Sequence, residues 1–331
     1  MSSGLRNIFL CVGLLAIVLM FCTFDLSYTE LFQNLKTAGW WFIAAVLLWI
    51  PIYMMNAWAW RVIINDGQGT RVSFGKVFKY TVTGYALNYV TPVGVLGGEP
   101  YRILELTPYV GVSRATSSVV LYAMMHIFSH FIFWGMSVVL YLILYFSKID
   151  AAMAFFLVLV GIFCTCGIYL FLKGYRNGMV VKTITLLAHL PFVKRRMQRF
   201  LREKRETIER IDNQIAGLHK QRRRTFYLSL SLEFFARVIG CLEVCFILLI
   251  LTDSVSFADC VLVQAFTSLF ANLFFFMPME LGTREGGFAL AVAGLSLPAA
   301  FGVCAGLLTR VRELIWIIIG IGWMKFGNDK R

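Results

Sequence analysis

The chain has 331 residues, of which 59% are hydrophobic and only 15% are charged. Soluble domains are typically about 45–50% apolar and about 25% charged, so this composition excludes a cytosolic enzyme, a disordered chain and a disulfide-stapled secreted domain. The apolar runs are continuous rather than alternating, which excludes an outer-membrane barrel. The composition therefore predicts an all-α polytopic membrane protein.

The formal net charge of +13 lies mainly between the apolar runs. Cytoplasmic loops of membrane proteins collect Lys and Arg, so this excess does not indicate a nucleic-acid partner. Most of the eight cysteines lie inside apolar runs, and their spacing matches no zinc motif. We therefore expect no metal and no cofactor.

About 20 apolar residues cross a bilayer as a helix, and the chain contains six runs of this kind. The predicted spans are residues 7–24, 39–60, 115–146, 151–172, 226–251 and 299–326. Tryptophans stand at both ends of the second span, at Trp40 and Trp41 and again at Trp58 and Trp60. This placement is typical of membrane interfaces.

The charges of the loops predict the orientation in the membrane. Residues 25–38 are mainly acidic, whereas residues 61–79 carry four Lys/Arg against one Asp. Because cytoplasmic loops are basic, we expect 25–38 outside and 61–79 inside. The same rule places both termini in the cytoplasm, with the protein in the cytoplasmic (inner) membrane.

The long polar stretch 173–225 contains most of the basic excess, since residues 194–224 carry twelve Lys/Arg and four Asp/Glu. Its apolar residues recur at three- and four-residue steps, which predicts an amphipathic helix. They are Met197, Leu201, Ile208, Ile211, Ile215 and Leu218. We expect this helix to lie on anionic headgroups at the cytoplasmic face; the alternative is the seam of a homodimer.

Two further segments, 72–108 and 257–297, are too broken to be spans and too apolar to be loops. Proline and glycine interrupt a helix, and broken backbone at membrane depth survives only where it is buried in protein or lines a wet cavity. We therefore predict two re-entrant hairpins. The residues that shape their backbones are Asn88, Pro92, Gly97, Gly98, Asn272, Pro278, Gly282, Gly286 and Gly287.

The two hairpins resemble each other in sequence. In each, a glutamate follows the proline by seven residues, and these glutamates are Glu99 and Glu285. Each hairpin follows one span and precedes another, in residues 39–146 and 226–326. The first enters from the basic side and the second from the acidic side. This pattern predicts an inverted-topology repeat within a single transmembrane domain, 1–331.

Charged side chains near the bilayer centre are costly, so they face protein or water and often serve function. Those beside the helix breaks are the candidate lipid-binding residues: Glu99, Arg102, Arg284, Glu285 and Arg310. Glu233 and Arg237 stand one helical turn apart, which favours a structural salt bridge between them. For Arg312 and Glu313, two alternatives stay open: snorkelling to the interface, or pairing with neighbours.

His126 and His130 are also one turn apart, in the third predicted span. Two histidines at this spacing can hold a metal, but no acidic third ligand is adjacent, which favours a polar lining or packing role. The sequence contains no GxSxG, Walker A, HExxH or Asp-x-Asp pattern, so we assign no catalytic residue.

At the hairpin motifs the chain resembles the lysylphosphatidylglycerol synthase transmembrane-region family, also called the flippase-like domain family. The matching motifs are Pro92…Gly97-Gly98-Glu99…Arg102, Pro278…Gly282-x-Arg284-Glu285-Gly286-Gly287, and Arg310 on the last span. The resemblance covers about residues 5–326. It implies translocation of a lipid between leaflets.

In one relative a similar membrane region translocates aminoacylated phosphatidylglycerol, and other relatives are linked to dolichol-phosphate glycolipids or to hopanoids. The resemblance thus implies an anionic or aminoacylated phospholipid, or a polyprenyl-phosphate glycolipid, as the partner here. The chain ends at Arg331 without the soluble aminoacyl-transferase domain of bifunctional relatives, so we expect transport rather than lipid synthesis. The alternatives are a membrane-embedded lipid-linked transferase, or a scaffold that recruits a lipid-modifying enzyme through the basic helix.

Overall fold

The computed structural model describes residues 28–66, 71–90, 97–177, 223–253, 255–274, 283–295 and 297–326. Three predicted features lie outside these residues: the first span, most of the basic segment, and the hairpin tips that carry Pro92, Pro278 and Gly282. Among the described residues the regular structure is entirely helical, which confirms the predicted all-α class.

Nine α-helices form the described part of the chain, and a short 3₁₀ turn, Phe146–Lys148, joins the fourth to the fifth. They are α1 Tyr28–Ile64, α2 Phe74–Val90, α3 Gly98–Val110, α4 Val112–Tyr145, α5 Ala151–Asn177, α6 Arg223–Leu248, α7 Phe257–Leu273, α8 Thr283–Gly294 and α9 Ala299–Phe326. The bounds of α9 coincide with those of the last predicted span.

Among the described residues, three helical stretches are long and apolar enough to cross a bilayer: Gly39–Ile64, Val112–Lys148 and Ala151–Lys173. The predicted spans at 226–251 and 299–326 are also helical, but α6 and α9 carry several charged side chains near their middles. The protein is therefore a multi-pass helical membrane protein, whereas the count of six spans stays a prediction.

The start of α1 differs from the sequence prediction. Residues 25–38 were expected in a loop, but the helix begins at Tyr28 and runs to Ile64, with a break at Gly39, where φ is +49°. The Gly39 position coincides with the predicted start of the apolar run. The polar composition of 28–38 therefore does not mark a loop.

The two predicted hairpins are pairs of short helices. In the first, α2 and α3 contain 17 and 13 residues and pack against each other; in the second, α7 and α8 contain 17 and 12 residues and do the same. A helix rises 1.5 Å per residue, so these helices are about 18–26 Å long. That is shorter than the roughly 30 Å hydrocarbon core of a bilayer.

The helices form two units with matching contacts, α1–α4 (the first unit) and α6–α9 (the second unit). The helix α1 packs along α6 between the units. Contacts within the units match, since α1 packs on α2 as α6 packs on α7, and α3 on α4 as α8 on α9. Contacts across the units match too, because α2 packs on α9 as α7 packs on α4. Exchanging the two units reproduces this set of neighbours.

The helices α8 and α9 approach each other closely at a Gly-x-x-x-Gly pattern, Gly302 and Gly306. A Cβ atom at Gly302 would lie 2.4 Å from the carbonyl oxygen of Phe288. Small residues at this spacing let membrane helices pack backbone against backbone. The close packing places the start of α8, which carries Arg284 and Glu285, directly against the charged middle of α9.

Candidate functional site: three buried charge clusters

The first-unit cluster consists of Asn88, Glu99 and Arg102. The Asn88 side chain joins the two arms of the hairpin, because its Nδ2 donates to Glu99 Oε1 at 3.1 Å and its Oδ1 accepts from the Gly98 N–H at 2.7 Å. Glu99 lies in the first turn of α3, where the helix dipole favours a negative charge. Its Oε2 atom is buried and accepts no hydrogen bond.

The guanidinium of Arg102 is surrounded by aromatic rings. Its side chain is 3% exposed, and its hydrogen bonds to Glu99 Oε1 (3.4 Å) and to the Thr81 carbonyl (3.3 Å) are both long. The guanidinium carbon lies 4.7 Å from the ring centre of Tyr85, 5.5 Å from Tyr122 and 5.8 Å from Trp60. Cation–π attraction therefore compensates for much of the weak hydrogen bonding.

Gly98 has a packing role that the sequence analysis did not assign to it. A Cβ atom there would lie 2.1 Å from the carbonyl oxygen of Gly84, so only glycine permits this approach of α3 to α2. Gly84 in turn leaves room for Arg102, whose Nε would lie 2.4 Å from an added Cβ. Gly98 therefore allows the close approach of the two hairpin arms.

The second-unit cluster joins α8 to α9. Arg310 donates to both oxygens of Glu285, with its NH2 group 3.2 Å from Oε2. Arg284 donates to Glu313. Arg312 NH1 lies 3.8 Å from the same Glu313 carboxylate. Three of the five predicted lipid-binding residues therefore lie in one network of alternating charges.

Glu243 on α6 extends this cluster. It accepts two hydrogen bonds from Arg312, at 2.6 and 3.1 Å, and one from Trp49 Nε1 at 2.9 Å. The guanidinium of Arg312 also lies 3.9 Å from the centre of the Trp49 ring. Of the two alternatives for Arg312, pairing is therefore found rather than snorkelling. Its main partner is on another helix.

The histidine cluster lies between α4 and α6. His126 Nδ1 is 2.7 Å from Glu233 Oε2. Arg237 donates to Ser129 Oγ at 2.8 Å, to His130 Nδ1 at 3.0 Å and to the His126 carbonyl at 2.9 Å. Among the ion pairs of the described residues none joins Glu233 to Arg237, so the salt bridge predicted between them is wrong. Both side chains reach across to α4 instead.

The histidines are held by hydrogen bonds to side chains of α6. Their hydrogen bonds use Glu233 and Arg237, and within the described ranges no group of three His, Cys, Asp or Glu side chains could hold a metal. Both histidines lie in the middle third of α4, and both partners lie in the middle third of α6. The cluster is therefore far from both ends of the helices that carry it.

Tyr85 connects the first-unit cluster to the histidine cluster. Its ring faces Arg102, and its hydroxyl lies 3.1 Å from the Tyr122 hydroxyl and 3.5 Å from His126 Nδ1. A single phenol therefore separates the His126 ring from the Arg102 guanidinium.

Tyr53 connects Tyr85 to the second-unit cluster. The ring of Tyr53 is 5.5 Å from that of Tyr85 and 5.2 Å from that of Trp49, which faces Arg312. We call Tyr85, Tyr53 and Trp49 the aromatic row. It makes the three clusters one contiguous interior, although Glu99 and Glu285 belong to different clusters and do not bond each other.

The other predicted hairpin residues differ between the units. Asn272 is exposed and donates to the Ser268 carbonyl at 2.8 Å, so it does not hold Glu285 as Asn88 holds Glu99. An added Cβ at Gly286 would meet no atom within 4 Å, and one at Gly287 would make only ordinary contacts. Gly97 is buried immediately before α3.

The sequence analysis interpreted the tryptophans at the ends of the second span as interfacial and assigned no role to the aromatic row. Trp60 is in fact fully buried and packs 6.0 Å from Tyr122, so its interfacial assignment is wrong, whereas Trp40 and Trp58 are exposed. Trp49 and Tyr53 stand four residues apart in the middle of the span, on one helix face. That spacing, away from both ends, was the available signal.

A helical bundle of this length with paired arginines and carboxylates in its middle is an integral membrane protein with a charged interior. Among known families, the model of the lysylphosphatidylglycerol synthase TM region matches residues 8–322. The chain belongs to this family, which confirms the resemblance seen in the hairpin motifs. No curated protein and no solved structure matches the chain.

Proposed function

We propose that the protein is a lipid flippase that moves a phospholipid or a polyprenyl-phosphate-type lipid between the leaflets of the cytoplasmic membrane. One observation carries the proposal: Arg102, Arg284 and Arg310 lie on or against the broken hairpins, Arg102 and Arg310 buried and Arg284 with its side chain 13% exposed, and each is held by a carboxylate. Insertion of one charge at the bilayer centre costs at least about 2.5–3.5 kcal/mol, so such a set is retained for function.

Membership of a lipid-related membrane family supports the same direction. The pairing of helices in the two units supports a repeat. The loop charges favour an inverted one, with the hairpins entering from opposite faces and both termini in the cytoplasm. Rocking of one unit against the other would then open the charged interior to each leaflet in turn. The proposal takes the protein to be a transporter rather than an enzyme.

In the proposed binding step, a lipid phosphate replaces the carboxylate that pairs with an arginine. A guanidinium presents planar donors that match phosphate oxygens as well as carboxylate oxygens. A lipid phosphate entering the interior replaces Glu99 on Arg102, or Glu285 and Glu313 on Arg310 and Arg284. The released carboxylates are then positioned to contact a cationic headgroup, such as that of an aminoacylated phospholipid.

The test is lipid movement in liposomes that contain the purified protein and fluorescent phosphatidylglycerol. A membrane-impermeant reductant bleaches the outer leaflet, and continued bleaching measures movement from the inner one. We expect Glu99→Gln and Arg284→Ala each to slow this movement at least about tenfold, which corresponds to about 1.4 kcal/mol of lost interaction.

Two matched variants control for the loss of a charge. Glu105→Gln removes a carboxylate from the same helix as Glu99, and Arg71→Ala removes an exposed arginine. Both should move lipid at the rate of the unmodified protein. If Glu99→Gln and Arg284→Ala are as fast as these controls, the proposed site is wrong. If the unmodified protein moves no lipid, the proposed function is wrong.

A further inference from the structure

The helix α6 supplies the carboxylate of two pairs that each join one basic side chain to one acidic side chain. Glu233 bonds His126 on α4, and Glu243 bonds Arg312 on α9. The same residue offset separates Glu99 from Glu285 and His126 from Arg312. The two bases therefore occupy equivalent positions, each on the span that follows the hairpin of its unit.

The two bases differ in one chemical property. Arginine stays charged in proteins, so the pair between Arg312 and Glu243 is permanent. Histidine gains and loses its charge in the physiological pH range, so the pair between His126 and Glu233 can exist with or without an added proton. The pair between His126 and Glu233 joins α4 of the first unit to α6 of the second, and it is a titratable counterpart of the permanent pair within the second unit.

The surroundings of Glu233 favour an added positive charge. Its side chain is 1% exposed, and while Oε2 contacts His126, its Oε1 is buried without a hydrogen-bond partner. An incompletely satisfied buried carboxylate is destabilised, and a neighbouring cation offsets that cost. The His126 side chain is 34% exposed, so its ring is not sealed within the helix packing.

The hydrogen bonds of the two histidines assign the added proton to His126 rather than to His130. Arginine can only donate, so His130 Nδ1 must accept the hydrogen bond from Arg237, and that nitrogen is occupied. At His126, an Nδ1–H that donates to Glu233 leaves Nε2 as the atom that takes up a second proton.

Charged or titratable groups face this pair from several helices. Arg237 lies beside it on α6, Tyr122 and His130 on α4, Tyr85 on α2 and Arg102 on α3. On α1 the nearest such group is Tyr53, through Tyr85. The acidic residue of α7, Asp259, is held by Tyr145 at the far end of α4.

We propose that His126 and Glu233 form a proton-binding site that couples lipid transport to the proton gradient. This coupling rests on the proposed flippase function. A proton taken from water at one face converts the pair to imidazolium and carboxylate, and it returns to water at the other face. The added positive charge lies one phenol away from Arg102, so it strengthens the binding of an anionic headgroup at Arg102. By reciprocity, a bound headgroup strengthens the binding of the proton at His126.

The proton site can be tested without transport. Protein carrying ¹⁵N-labelled histidine is placed in phosphatidylglycerol nanodiscs, and NMR follows His126, assigned with His126→Gln, from pH 5 to pH 8. We expect His126 to titrate within this range. In Glu233→Gln the pH of half-protonation should fall by about one unit or more, whereas Glu105→Gln should leave it unchanged.

Either of two results would overturn the site: no titration of His126 in the unmodified protein, or an unchanged midpoint in Glu233→Gln. Transport in liposomes tests the coupling separately. An imposed pH gradient should change the rate of phosphatidylglycerol movement several-fold, and His126→Arg, which copies the permanent pair of the second unit, should abolish that dependence.

The outcomes distinguish the two proposals. Lipid movement that ignores the pH gradient overturns the coupling and leaves the flippase standing. Titration of His126 together with an absence of lipid movement at every pH supports the proton site and overturns the flippase.

Discussion

The two units of this protein share one arrangement of helices but hold their charges differently. In the second unit, Arg310 and Arg312 each donate twice to a carboxylate, and Arg284 completes the network. In the first unit, Arg102 makes two long hydrogen bonds and packs against rings. Glu99 Oε2 and Arg102 Nε are buried without a hydrogen-bond partner. Among the described charges of the second unit, the unsatisfied atoms are Arg312 NH1, which still lies 3.8 Å from Glu313, and Glu233 Oε1, on the face of α6 that packs against the first unit.

The difference indicates a division of roles. A network in which each charge has several partners resists exchange, since any incoming group must displace more than one bond. A charge with long bonds and unsatisfied neighbours exchanges its partner at lower cost. We therefore infer that the second unit anchors the fold, whereas the first unit is where headgroup and proton bind first.

The largest predicted difference is in stability. Arg312→Ala leaves the buried Glu243 carboxylate with only Trp49 as a donor, and we expect it to lower the free energy of unfolding by about 3–5 kcal/mol. Arg102→Ala should cost less, about 1–3 kcal/mol, because Glu99 keeps its bond from Asn88 and is partly exposed.

Unfolding of both variants in mild detergent, followed by circular dichroism, measures this difference. The double variant Glu243→Gln/Arg312→Gln should recover part of the loss, because no charge is then buried alone. Equal destabilisation by Arg312→Ala and Arg102→Ala would remove the contrast between the units.

A smaller effect is expected at the hairpin glycines. Gly98→Ala places a methyl group against the Gly84 carbonyl and should force α2 and α3 apart, at a cost of about 1–3 kcal/mol. Gly286→Ala is the matched control on α8, because its methyl group meets no atom. It should be neutral or stabilising by up to about 1 kcal/mol.

The same unfolding assay compares these two glycine variants. A Gly98→Ala protein as stable as Gly286→Ala would show that the close crossing of the hairpin arms contributes nothing to the first unit.

The elements of the fold were largely predictable, because they depend on local sequence. Continuous apolar runs predicted α4, α5 and α9, and the Gly- and Pro-rich segments predicted the paired short helices α2–α3 and α7–α8. The start of α1 was not predictable in the same way. Residues 28–38 are polar, and polarity by itself does not distinguish a loop from a helix.

The candidate site was predictable in its residues but not in its pairings. The charged residues near the breaks stood out because lipid does not tolerate them. The partner of Glu233 was not evident from the sequence. Arg237 lies one turn away on α6, but the packing of α4 against α6 decides which side chains meet. The aromatic row is likewise formed by rings from two helices, which no local pattern joins.

The most direct test of the account is to locate a lipid headgroup inside the protein. Phosphatidylglycerol with a photoreactive headgroup is incorporated into the liposomes, irradiated, and the labelled peptides are identified by mass spectrometry. The account predicts adducts on α3 and α2 around Arg102, lost in Arg102→Ala and retained in Arg71→Ala. Adducts confined to the exposed outer faces of α5, in the unmodified protein and the variants alike, would contradict it.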